Sequence, residues 1–123
     1  MKTAFAKTWV ALLISAVSLL AADATGIWTG TFAPEGQEAG SAHLILNQQG
    51  IVLTGSAGPS AEEQHAIRNG KAEGGTLTFD LEAENGVTMK FVLHQDGNTI
   101  SGDATRMREG EVQKAHLVVR KQN

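Results

Sequence analysis

Four histidines, His43, His65, His94 and His116, are the first residues to test for chemistry. A tetrahedral metal site needs three or four converging ligands, and no closely spaced histidine pair of the His-x-His or His-x-x-x-His form occurs. There is no cysteine, so a thiolate ligand, a thiol nucleophile and a disulfide are all excluded. Serine chemistry on a strand–helix elbow takes the form Gly-x-Ser-x-Gly. Gly55-Ser56-Ala57-Gly58 departs from it, and no helical period follows. Glu62-Glu63 is the one adjacent carboxylate pair, but it lies in the polar stretch from Gly58 to Gln64. Carboxylates do acid–base work when burial shifts their pKa, and nothing in that stretch implies burial. No glycine-rich phosphate loop opens a helix. These residues predict a protein that is not an enzyme and carries no cofactor or metal.

The elements that would position any site are strands. After residue 25 the apolar residues recur with period two, which marks half-buried β-strands. Eight are predicted: Gly26–Ala33, Ser41–Gln48, Ile51–Ala57, His65–Glu73, Thr76–Glu82, Val87–His94, Thr99–Arg106 and Val112–Lys121. Gln49-Gly50, Gly74-Gly75, Asn85-Gly86 and Asp96-Gly97 supply tight hairpin turns. Short, evenly spaced strands without helices predict an all-β fold, an eight-stranded antiparallel up-and-down barrel, with a β-sandwich as the alternative. Closure into a barrel removes both exposed edges. The segments Trp28-Thr-Gly30-Thr-Phe32, Leu53-Thr-Gly55-Ser-Ala57 and Ile100-Ser-Gly102-Asp-Ala104 each place a glycine on the predicted apolar face, as sharply coiled strands require.

The segment before the strands has a different character. Lys2 and Lys7 precede an apolar run from Trp9 to Ala22, and Ala22-Asp23-Ala24 supplies a small-x-small pattern. This is the order of a secretory signal peptide, expected as a helix over residues 1–24, with cleavage after Ala24 or, alternatively, after Ala22. The run is well short of the about 20 residues that span a bilayer, so no stable membrane anchor is expected. The expected location is periplasmic or extracellular, and residues 25–123 form one domain. The whole chain has a net charge of −3, and loss of the leader makes it one unit more negative. Nucleic-acid binding needs a positive field and is disfavoured.

In a meander, alternate connections lie at opposite ends. The longer ones, Pro34 to Gly40, Gly58 to Gln64 and Met107 to Glu111, share one end and the tight turns share the other. A mouth is therefore expected at the long-loop end, rimmed by Glu35, Glu62, Glu84 and Glu109, with Trp28 plugging the base. The candidate lumen residues are Trp28, Phe32, Leu53, Phe79, Met89 and Phe91. Their bulk in a short barrel favours a filled interior with no enclosed pocket above about 300 Å³.

Gly26-Ile27-Trp28 resembles the Gly-x-Trp opening of lipocalins and avidin-like proteins, calycin-type families built on a meander barrel. The longer pattern through Leu53-Thr54-Gly55, Ile67-Arg68-Asn69-Gly70-Lys71 and Leu77-Thr78-Phe79 is similar to small exported bacterial proteins. The chain departs from lipocalins in its shorter length and missing cysteine pair, and the polar ligand set of avidins does not map onto it. The resemblance implies the barrel and leaves the ligand open. The expected function is non-enzymatic binding of a small apolar or amphipathic ligand. The alternative is a protein partner, as for an exported protease or lysozyme inhibitor.

Overall fold

The structure, a computed structural model, describes residues 23–82 and 86–122. The helix expected for the leader lies outside the described residues, as do Glu84 and Asn85.

Eight strands follow one another: β1 (Gly26–Pro34), β2 (Gly40–Gln49), β3 (Val52–Ser60), β4 (Glu63–Glu73), β5 (Thr76–Glu82), β6 (Thr88–Asp96), β7 (Thr99–Arg108) and β8 (Glu111–Lys121). Each pairs antiparallel with its sequence neighbour, and β1 pairs with β8, so the sheet is a closed barrel rather than a sandwich. The register follows the alternation. In β5, Leu77, Phe79 and Leu81 are buried while Thr76, Thr78 and Asp80 are half-buried and Glu82 is exposed. Trp28, Phe79, Phe91 and Leu117 are all buried, as the predicted faces require.

Three local readings change. Ile51 was expected to start the third strand facing inward. It sits instead in the β2–β3 turn after Gly50, whose φ of 63° places the turn one residue later, and is 53 % exposed. Two of the expected long connections are tight turns, because pairing runs on to Ser60↔Glu63 and Arg108↔Glu111. Only Ala61-Glu62 and Glu109-Gly110 remain unpaired there, and Glu35–Ala39 is the one long loop kept of the three.

The recurrent glycines serve the sharp coiling expected of them. A Cβ on Gly30 would stand 2.0 Å from the Val118 carbonyl oxygen, on Gly55 1.9 Å from that of Ile45, and on Gly102 2.3 Å from that of Val92. They point at the backbone of the neighbouring strand rather than into the lumen. Their absent side chains let strands coil tightly enough to close a narrow barrel and return no space to the interior.

The interior is graded along its axis. Towards the tight-turn end the inward residues are large: Trp28, Leu46, Leu53, Leu77, Leu93, Ile100 and Val119, all buried. Towards the other end four of the eight strands contribute alanine: Ala42, Ala57, Ala104 and Ala115. The first half is packed solid, and the second cannot be filled by methyl groups alone.

Candidate functional site

The unfilled half forms a well of about 300 Å³ opening at the end opposite Trp28. Its wall is almost wholly apolar, from Phe32, Leu44, Ala57, Leu81, Met89 and Phe91. The wall draws on five strands, β1, β2, β3, β5 and β6. Phe32 stands at the end of β1, next to Leu117 of β8. Phe91 on β6 lies opposite Phe79 on one side and Ala104 on the other. Where a large residue faces a methyl group across the ladder, space is left. Phe91 stacks on Phe79 with centroids 4.8 Å apart and tilts against Phe32 at 6.3 Å. These three rings anchor one side of the well.

Of the residues predicted to form the lumen, Phe32, Met89 and Phe91 line the well. Trp28, Leu53 and Phe79 are buried but belong to the packed half or back the wall. The expectation of a filled interior describes the tight-turn half, whereas the other half holds this open well of about 300 Å³. The sequence signal that marks the hollow half is its set of inward alanines, of which Ala42 and Ala57 line the well, a signal the bulk of the aromatic residues obscured.

The polar edge of the well is carried by Ser41, His65 and Glu82. His65 pairs with Ala57 across β3–β4 and is half-buried, the one histidine at the site. Glu82 is held 3.2 Å from Arg68 on the adjacent strand. A second hollow of about 400 Å³ shares Phe32 and Met89 with the first and carries Glu35, Gln37, Arg106, Gln113 and Lys114. There the Arg106 Nε–H donates to Gln113 Oε1. Of the predicted acidic rim, Glu35 alone lines either hollow. Glu62 and Glu109 occupy the exposed turns, and Glu84 lies outside the described residues. The inner mouth is therefore of mixed charge.

The remaining histidines lie on the outer surface. His116 Nδ1 is 3.0 Å from Asp103, and His94 Nδ1 is 3.4 Å from Thr76 Oγ1. Among the described residues no three His, Asp or Glu side chains are grouped to hold a metal ion. The site offers a shaped apolar volume and a wet edge. This suits binding of a molecule with an apolar body.

Comparison of the chain with family models, with curated proteins and with solved structures gives no match. The architecture alone, an eight-stranded antiparallel closed barrel, is the one shared with calycin-type proteins.

Proposed function

We propose that this is an exported, non-enzymatic, lipocalin-like binding protein whose well takes a small apolar or amphipathic molecule, apolar end inward. The observation that carries this is the apolar well of about 300 Å³ opening at one end of the barrel. That volume lies at the lower end for small-molecule sites. A liquid water occupies about 30 Å³, so the well has room for about ten non-hydrogen atoms. The mixed-charge edge suits a polar head group left at the water boundary. Native mass spectrometry of the protein recovered from its own host tests this. The expected result is a small organic adduct released on denaturation. Bare protein that also fails to take up ten-carbon alcohols would overturn the proposal.

A second reading, docking of a protein partner at the same end, is favoured by one observation. Met107 and Val112 face each other across the β7–β8 hairpin and are 65 % and 58 % exposed. Exposed apolar pairs beside a mouth are the kind of surface partners cover. Loss of partner capture in Met107→Ser/Val112→Ser, with the adduct retained, would favour this reading over the first.

A further inference from the structure

The residues just before β1 belong to the barrel. Ala24 is fully buried and part of the core. Its carbonyl accepts the Trp28 indole Nε1–H at 2.9 Å, and its own N–H donates to Gln48 Oε1 at 2.8 Å. Asp23 is tied in as well. Its carbonyl accepts from Gln95 Nε2 at 3.1 Å, and its Oδ1 accepts the Thr25 N–H at 2.8 Å, an Asx-type turn. Thr25 Oγ1 then accepts the N–H of Gln48. Three hydrogen bonds thus fasten Asp23-Ala24-Thr25 to β2 and β6, a fourth ties it to Trp28 of β1, and a fifth turns the segment on itself, closing the base around Trp28.

This bears on where the leader ends. The small-x-small pattern Ala22-Asp23-Ala24 points to cleavage after Ala24. That cut would remove Ala24 and Asp23 from the folded domain. The Trp28 N–H, inside a fully buried side chain, would lose its acceptor, and an unpaired buried donor is among the more expensive defects a fold can carry. Cleavage between Ala22 and Asp23 keeps every one of these contacts. It still leaves a small residue, Ala22, before the cut, with Leu20 in place of the second small residue. A further observation points the same way. Gln95 Oε1 is buried without a hydrogen-bond partner among the described residues, on the same amide that holds the Asp23 carbonyl. A free α-ammonium on Asp23 would bring a donor to that neighbourhood.

We propose that the exported protein begins at Asp23, with Asp23 and Ala24 serving as the plug of the barrel base. This rests on the export part of the proposed function. The N-terminus of the protein recovered from its exporting host should be Asp23 by intact mass and N-terminal fragmentation. A start at Thr25 overturns the inference and leaves export standing, whereas a chain still carrying residues 1–22 overturns both. A stability comparison tests the plug itself. Protein starting at Thr25 should melt about 5–15 °C below protein starting at Asp23. Trp28→Phe should cost less in the Thr25 form, because there the indole N–H has no acceptor to lose. Melting temperatures within about 2 °C of each other, or an equal cost of Trp28→Phe in both forms, would overturn the plug.

Discussion

Trp28 fills the base of the barrel with its ring and satisfies its one polar atom on Ala24. Trp28→Phe removes the donor and some volume together and leaves the Ala24 carbonyl without its partner. It should cost about 1–3 kcal/mol in urea unfolding. Circular dichroism must follow the transition, since the only other tryptophan is Trp9 in the leader. Nearby, the Asp23 carboxyl is held below the usual carboxylate range. The Thr25 side-chain hydrogen bond is the first cause, followed by the Thr25 backbone N–H, with Lys121 adding a smaller pull in the same direction. A lowered value stabilises the fold above the ordinary carboxylate pKa, and that contribution is lost as pH falls through the folded one. Stability should therefore show a small extra loss below about pH 4 that Asp23→Asn removes, small because the group is exposed.

At the scale of elements, glycine and turn geometry decide which substitutions the sheet accepts. Gly55 has φ of 132° and no room for a Cβ beside the Ile45 carbonyl, so Gly55→Ala should destabilise by about 2–4 kcal/mol. At the β7–β8 turn both central residues have positive φ, 53° at Glu109 and 82° at Gly110. A type I′ turn favours Asn at the first of these, and Glu109→Asn should raise stability by about 0.5–1 kcal/mol, read as a higher urea midpoint at constant slope. The strands were legible where alternation is strict. In β5 three apolar residues interleave with four polar ones, and its limits fall at Thr76 and Glu82 as expected. Legibility failed where the chain leaves that rule. Ile51 is apolar yet lies in a turn, where the backbone and not hydropathy sets exposure. His65 reaches the well because it shares the inward face of half-buried Ile67, two residues on, and the turn-forming pair Asn69-Gly70 inside the strand marks the bulge that shifts the register between Arg68 and Lys71. The well could have been found from Ala42 and Ala57, and the hollow beside it from Ala104 and Ala115. That required knowing which ends of four strands meet, a property of the shear of the barrel that single strands do not reveal.

On the scale of the whole molecule, the division into a solid half and a hollow half should be visible in its dynamics. Opening free energy follows local packing, so amide protons of Leu53, Leu77, Leu93, Ile100 and Val119 should exchange slowest. Those of Ala42, Leu44 and Ala57, on the wall of the well, should exchange faster. Closure of β1 on β8 brings Trp28 opposite Lys121, nearly the full length of the domain apart in sequence. Such non-local pairing predicts folding on the millisecond-to-second scale. The same closure leaves no free strand edge, so the function must lie in the mouth or on the outer surface rather than in strand addition. The most direct test of the well is a calorimetric titration of 1-decanol into the protein and into Ala57→Phe, whose ring would occupy the same space. About ten buried carbons, less the cost of association, predict one molecule per barrel with Kd of about 1–100 μM and a negative heat-capacity change. Ala57→Phe should keep its melting temperature and bind at least about tenfold more weakly. No binding to the parent protein, or equal binding to a folded Ala57→Phe, would contradict the account.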